Sequence, residues 1–300
     1  MFDHFVWSVL VVPALISITV RLLADRLPPG RAARTVAWSA AATAAASIAN
    51  LVVFTLKALA QTPVAGALFG WSTETVYADT AQVAWVPVVS SVLLAGSGAA
   101  MWRTVRRHRR TIAEARGYAD GSGGVLLVPD ARPQAFAVPG RPGRIVVTTG
   151  MRERLTDAQF DAVIAHERAH LDAGHHRLVA LAEVAAAAHP ALWWVARHVG
   201  YLVERAADEH AAAAVGSRRT VAHAIGAAAL AGAHTPALGL RATGRPGVVP
   251  RRVAHLLQPP RHGTSPWWVL PALLAASSLV WTGEAIYDLG ELLVYASQTR

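Results

Sequence analysis

The chain has 300 residues, of which 53% are hydrophobic, and its mean hydropathy is +0.34. This composition is typical of a protein embedded in a lipid bilayer, and the absence of cysteine excludes disulfide bonds and cysteine-ligated metal sites. The net charge is +9, but no nucleic-acid-binding motif accompanies it, so we expect no direct binding to nucleic acid.

Four apolar stretches are long enough to cross the hydrocarbon of a bilayer, which takes about 20 residues. They cover residues 5–23, 36–59, 83–102 and 267–289. None has a charge at its centre, and charged residues such as Lys57 and Glu284 lie near the ends of the stretches, where side chains can reach water. The sequence therefore predicts four transmembrane helices.

The arginines are distributed unevenly among the loops, and this asymmetry predicts the orientation. Four arginines border the loop after the first span and five follow the third span, whereas residues 60–82 contain neither lysine nor arginine. We therefore expect a cell-membrane protein with an outward N-terminus. The predicted parts are a membrane region at 1–102, a cytoplasmic domain at 103–266, and a fourth helix with a short outer tail at 267–300. The arginines would meet anionic lipid headgroups.

Three short runs of β-forming residues open the predicted cytoplasmic domain. They are Val125–Val128, Ala135–Val138 and Arg144–Thr148. Pro-Gly and Arg-Pro-Gly between the last two indicate a turn, so we predict a small antiparallel sheet. Its edge could pair with an extended substrate, or the sheet could be purely structural.

The most informative motif is His166-Glu167-Arg168-Ala169-His170, which reads His-Glu-x-x-His. Thr156 and Gln159 have the spacing of a capping box, so the motif lies on a predicted helix that ends near Gly174. Positions i and i+4 share one helix face, so both imidazoles can bind one metal ion. Glu167 can then hold and deprotonate a water molecule on that ion, as in zinc peptidases.

A catalytic zinc site needs a third protein ligand. Glu204 and Asp208 share a face of a second predicted helix at 191–215, so Glu204 is a candidate ligand and Asp208 a candidate acceptor for a ligand histidine. His176 stands where His-Glu-x-x-His-x-x-Gly-x-x-His places its third histidine. Residue 173 is alanine instead of the required glycine, and no methionine follows for the Met-turn, so we favour Glu204.

Four further residues are ambiguous from sequence alone. Trp193 and Trp194 fit either a membrane-surface position, which would bring the motif close to the bilayer, or packing in the core. His189 and His210 are candidates for stabilising an oxyanion by residue type only.

The order and spacing of these residues resemble the antirepressor group of membrane zinc peptidases, known from the beta-lactam sensor-transducers. The resemblance runs from Val125 to the last span and rests on Ile145–Val147, Leu155–Phe160, His166–His170, His189–Trp194, Glu204–Asp208 and Arg251–Leu257. It implies a mainly α, multi-pass membrane protein with four transmembrane helices and a gluzincin-like cytoplasmic zinc peptidase domain. It also implies His166, His170 and Glu204 as Zn²⁺ ligands and Glu167 as general base.

The expected function is that of a zinc-dependent endopeptidase acting on a cytoplasmic or membrane-proximal protein, such as a transcriptional repressor in a signalling pathway. The chain ends at Arg300 without a Ser-x-x-Lys pocket, so beta-lactam sensing is not implied. Heat-shock and CAAX-type membrane peptidases are similar and are the nearest alternative. A non-proteolytic signalling component with structural zinc is the alternative from another class; the oligomeric state is left open.

Overall fold

A computed structural model describes residues 2–23, 25–79, 81–117, 123–232, 247–259 and 266–299. Four helices in it have the length and apolar composition needed to cross a membrane. They are Phe2–Leu23, Pro29–Ala60, Trp85–Ala115 and Pro266–Gln298, and each overlaps one of the four predicted spans.

Helices dominate the architecture, and one small sheet lies between the third span and the motif helix. In chain order the helices are α1 Phe2–Phe5, α2 Val12–Leu23, α3 Pro29–Ala60, α4 Pro63–Phe69, α5 Thr73–Ala78, α6 Trp85–Arg116, α7 Thr149–Arg152, α8 Asp157–Asp172, α9 His175–Ala188, α10 Trp193–Val215, α11 Arg218–Gly232, α12 Val248–Leu257 and α13 Leu270–Gln298. A π-helical stretch, Val6–Val11, joins α1 to α2 within the first span. The strands are β1 Gly124–Val128, β2 Ala135–Val138 and β3 Arg144–Thr148.

Two helices continue well beyond the predicted spans. The third span ends at residue 102 by hydropathy, but α6 continues through the arginine-rich segment to Arg116. Arginine and alanine both favour the helical conformation, and arginine does so although its side chain is too polar for hydrocarbon. The helix therefore continues beyond the end of the apolar span. The helix α13 likewise continues to Gln298, where the sequence had predicted a short tail, and Ala296 is buried there.

The sheet is mixed, so the prediction of a purely antiparallel sheet was wrong. The strand order is β1-β3-β2, with β2 antiparallel and β1 parallel to β3. A parallel pair needs a crossover connection, and here the segment that contains β2 provides it. β3 is the central strand of the sheet, flanked by β1 and β2. In keeping with this position, its four consecutive residues Ile145–Thr148 are all buried.

The largest hydrophobic core is shared between membrane spans and the segment that carries the motif. It joins buried residues of α2 and α3 to those of α9 and α10, including Val12, Ile16, Val20, Val36, Ala40, Ala182, Ala185, Val195, Val199 and Leu202. A second core lies under the sheet, where Ile145, Val147 and Met151 meet Phe160 and Ile164 of α8. The motif helix is therefore supported by the sheet, and its partner α10 is supported by the membrane helices.

The motif helix α8 begins and ends as its sequence predicts. The capping box forms, with Gln159 Oε1 accepting from the Thr156 N–H at 3.0 Å and Thr156 Oγ1 accepting from the Gln159 N–H at 3.3 Å. After the helix, Gly174 adopts a left-handed conformation with φ 62°, which glycine tolerates, and the chain turns directly into α9.

A close approach of two backbone segments requires glycine at position 150. A Cβ built on Gly150 would lie 2.0 Å from the carbonyl oxygen of Ala131, so Gly150→Ala should lower the free energy of unfolding by at least about 1–3 kcal/mol. The matched control is Gly226→Ala in α11, where nothing lies within 4 Å and the better helix propensity of alanine should stabilise by up to about 1 kcal/mol. The measurement is the midpoint of thermal unfolding of each variant in detergent micelles; equal midpoints would contradict the packing at Gly150.

Candidate metal centre

The two helices that carry the predicted metal ligands pack against each other. His166 and His170 project from α8, and their Nε2 atoms lie 3.1 Å apart. Glu204 projects from α10, and its two carboxylate oxygens lie 3.4 Å from Nε2 of His166 and 3.6 Å from Nε2 of His170. The structure thus brings all three side chains to one place.

These separations fit a single ion held by three ligands. Zinc binds imidazole nitrogen and carboxylate oxygen at about 2.0–2.1 Å, so tetrahedral ligand atoms lie about 3.3–3.4 Å from one another. The observed separations of 3.1, 3.4 and 3.6 Å lie on both sides of that value. Two imidazoles with one carboxylate are also a donor set typical of catalytic zinc. Across the described residues, this is the one group of three histidine or acidic side chains able to share an ion.

Asp208 and Arg252 form a buried network behind the three side chains. The Nε and Nη2 groups of Arg252 donate to the two oxygens of Asp208 at 2.8 and 2.6 Å, and its Nη1 lies 2.8 Å from Glu204. Asp208 also lies 3.0 Å from Nδ1 of His166, although the ring N–H is not aligned for a straight hydrogen bond. Asp208 therefore lies where the sequence predicted it, whereas the sequence did not identify Arg252 as part of the site.

Charge in this network is balanced locally. Burial alone would raise the pKa of Glu204 and of Asp208, but the Arg252 guanidinium holds both pKa values well below their usual range. Burial lowers the pKa of His170 to about 4, so this imidazole is neutral, which is the form that binds metal. Burial acts in the same direction on His166, but Asp208 and Glu204 raise its pKa to about 9. A metal ion must therefore displace one proton when it binds.

His175 is a second residue that sequence reasoning missed. It is buried at the start of α9, and its Nδ1 lies 3.1 Å from Nδ1 of His170. Because His170 offers Nε2 to the metal position, its Nδ1 can donate to His175, which orients the ring. The feature of the sequence that could have identified His175 is Gly174, because a left-handed turn at this glycine brings the next residue back towards the motif. His176, the competing third ligand, is not among the three converging side chains.

The remaining candidates lie in different surroundings. Glu167 is half-buried on α8, and its charge contributes, with Glu204 and Asp208, to raising the pKa of Arg252 against the effect of burial. His189 does not approach the three side chains, because its Nε2 lies 2.8 Å from the carbonyl oxygen of Val9 in the first span. His210 is exposed.

Comparison with known proteins identifies the family. Residues 103–258 match the model of Peptidase family M48. The chain belongs to peptidase family M48. Members of this family are metal-dependent peptidases, and the His166, His170 and Glu204 group is a possible metal site in this chain.

One curated relative matches a short segment. Over 49 residues the chain is 45% identical to a Protease HtpX homolog of Moorella thermoacetica, and the match covers 16% of each chain. The chain thus spans far less than two thirds of this relative. No solved structure matches. Together with the four apolar helices, the family assignment and this relative indicate a membrane metallopeptidase, and the heat-shock-type alternative is compatible with them.

Adjacent arginines on α12 offer a sharp test of the buried network. Arg252→Ala leaves the charges of Glu204 and Asp208 buried without a counter-charge, so in metal-free protein we expect a loss of about 3–5 kcal/mol of unfolding free energy. Arg251→Ala removes a more exposed pair with Asp25 and should cost about 0–1 kcal/mol. Chemical unfolding of chelator-treated protein in micelles measures both. Similar losses for the two variants would contradict the role given to Arg252.

Proposed function

We propose that this M48 protein is a zinc-dependent endopeptidase that cleaves a cytoplasmic or membrane-proximal protein. The observation that carries the proposal is the convergence of His166, His170 and Glu204 at separations that suit one ion. These three side chains would hold Zn²⁺. When bound, the ion supplies a Lewis acid that polarises the scissile carbonyl and lowers the pKa of water towards neutrality.

The other residues of the site have separate tasks in this proposal. Glu167 takes the proton from the attacking water and passes it to the leaving amine. Asp208 and His175 orient the imidazoles of His166 and His170, each from the nitrogen that faces away from the metal position. Arg252 keeps Glu204 ionised within a buried site.

The contacts of Asp25 support one side of the membrane for the whole peptidase segment. Asp25 lies in the loop between the first two spans, where it accepts from the Tyr201 hydroxyl at 2.9 Å and pairs with Arg251 at 2.6 Å. That loop and the metal centre therefore share a side. The arginine asymmetry of the loops supports the cytoplasmic side, with an outward N-terminus in the cell membrane.

Two substrate classes follow from two different observations. The spacing of motifs along the peptidase segment resembles the antirepressor group, which favours a transcriptional repressor within a signalling pathway. The identity with the HtpX homolog favours a heat-shock-type quality-control peptidase. A structural zinc without proteolysis is disfavoured, since three protein ligands leave a fourth coordination position and structural sites are closed by four.

Replacing the proposed general base separates chemistry from metal binding. Glu167→Gln should keep zinc at the wild-type stoichiometry and lower the cleavage rate by about 10²–10⁴-fold. The control Asp161→Asn neutralises an exposed carboxylate of the same helix and should leave the rate unchanged. Metal content by elemental analysis and cleavage of a protein substrate measure the two properties. Normal turnover by Glu167→Gln would remove Glu167 from the mechanism.

Cellular proteomes of the wild type and of the Glu167→Gln variant would identify the substrate class. A repressor that accumulates in the variant supports the antirepressor function, and accumulation of damaged membrane proteins supports quality control. No stabilised protein in a zinc-loaded variant would favour the non-proteolytic alternative.

The orienting role of Asp208 predicts a change in metal affinity. Asp208→Asn should weaken zinc binding by about 10–100-fold, because it removes the negative charge that lies 3.0 Å from Nδ1 of His166. The control is Glu209→Gln, the next residue, which pairs with Arg218 away from the site. Competition with a chromogenic chelator gives both affinities. An unchanged affinity in Asp208→Asn would show that the contact with His166 does not support the metal.

A further inference from the structure

The helix that carries Glu204 runs beside the first membrane span rather than above it. Three contacts join α10 or the turn before it to the first span or the loop that follows it, and they occur at successive heights. They are Ser17 Oγ donating to the Ala191 carbonyl at 2.5 Å, Arg21 over the Trp194 ring at 5.3 Å, and Tyr201 donating to Asp25 at 2.9 Å. The two segments therefore rise in the same direction, and the start of α10 lies level with the interior of the span.

The preceding helix α9 descends along the third span. Near its middle, Glu183 pairs with Arg107 at 2.7 Å and lies 3.0 Å from His108, in the arginine-rich end of α6. At its end, the Ala188 carbonyl accepts from Ser97 at 2.8 Å, within the apolar part of α6. α9 and α10 thus form a hairpin that points into the layer of membrane helices.

The depth of the turn follows from helix geometry. Ser17 lies four residues before Arg21, the first arginine of the first span, and Ser97 lies six residues before Arg103, the first arginine of α6. At 1.5 Å per residue, these positions are about 6 and 9 Å inside the apolar layer. The turn of the hairpin contacts both serines, so it lies at that depth.

The sequence of the hairpin suits hydrocarbon. Residues 184–196 contain no charged side chain, and Glu183 and Arg197 border them. Trp193 and Trp194 are 45% and 43% exposed, although the core that they border is apolar. Arg197 lies over both rings, at 4.5 and 5.3 Å from their centroids. At membrane–water interfaces, tryptophan rings lie at the level of the headgroups and arginine side chains extend towards water. Arg197 and the two tryptophans fit this arrangement.

Most backbone groups at the turn are hydrogen-bonded, which favours placement in a bilayer, where unpaired polar groups are costly. The Ala188 and Ala191 carbonyls accept from Ser97 and Ser17, and the His189 N–H donates to Ala185 at 3.0 Å. The Leu192 N–H donates to His189 at 2.9 Å, and Pro190 has no N–H. The His189 ring lies 2.8 Å from the Val9 carbonyl, within the π-helical stretch of the first span.

We propose that residues 184–196 form a re-entrant hairpin in the hydrocarbon of the leaflet on the peptidase side, with Trp193 and Trp194 in contact with lipid. Its continuity with the membrane helices in one core favours lipid over a protein partner as the occupant of this face. Glu204 follows Arg197 by seven residues, which sets the metal centre about 10 Å above the level of that arginine. Cleavage close to the membrane surface follows as well, but this last step rests on the proposed peptidase activity.

Spin labels can measure this depth without any activity assay, so failure of the proposed function would not affect the result. The chain contains no cysteine, so single-cysteine variants of the full chain can be labelled directly. Trp193→Cys tests the hairpin, Val92→Cys in the third span is the lipid control, and Ala213→Cys, exposed further along α10, is the water control. Each variant is reconstituted in vesicles of phosphatidylethanolamine and phosphatidylglycerol.

Collision rates with oxygen and with a water-soluble nickel chelate decide the outcome. The Trp193→Cys label should show an oxygen-to-nickel ratio well above that of Ala213→Cys and below that of Val92→Cys, because Val92 lies deeper in the bilayer. A ratio equal to that of Ala213→Cys would place the hairpin in water and overturn the proposal. Protection from both reagents would mean that protein, such as a second copy, covers the face, and would also overturn it. If Trp193→Cys does not fold, by its thermal unfolding midpoint, Trp194→Cys carries the same expectation.

Discussion

The pairing of Arg252 with Glu204 and Asp208 is the interaction on which the candidate metal centre depends. A cation site needs ionised carboxylates, yet burial favours their neutral form. One guanidinium with contacts of 2.6–2.8 Å to both carboxylates resolves this conflict. The donor comes from α12, so the short amphipathic helix before the last span is needed to complete a site whose other residues lie on α8 and α10.

α12 also connects the metal centre to the membrane. Arg252 faces the carboxylates of the site, while its neighbour Arg251 pairs with Asp25 in the loop between the first two spans. The shared core of α2, α3, α9 and α10 makes the same connection through apolar contacts. The peptidase segment and the membrane region are therefore parts of one packed structure.

Local patterns in the sequence predicted much of the fold because they depend on neighbouring residues only. The four spans follow from apolar length, and the limits of α8 follow from a capping box and a glycine. The direction of β1 did not follow, since three short apolar runs permit several strand orders and the burial of β3 decides among them. Hydropathy also did not predict that the helix of the third span continues to Arg116, because hydropathy measures polarity and not helix formation.

By itself, the sequence determined that His166 and His170 share a helix face, because residues four apart always do so on a helix. It also limited the candidates for the third metal ligand to Glu204 and His176. Only the tertiary structure decided which of these meets the pair, and only it revealed Arg252, His175 and the depth of the α9–α10 turn. Arg252 and the turn contact residues far away in the chain, and such contacts depend on how whole helices pack, which no local pattern encodes. His175 lies only five residues after His170, but its contact depends on the direction in which the chain leaves Gly174.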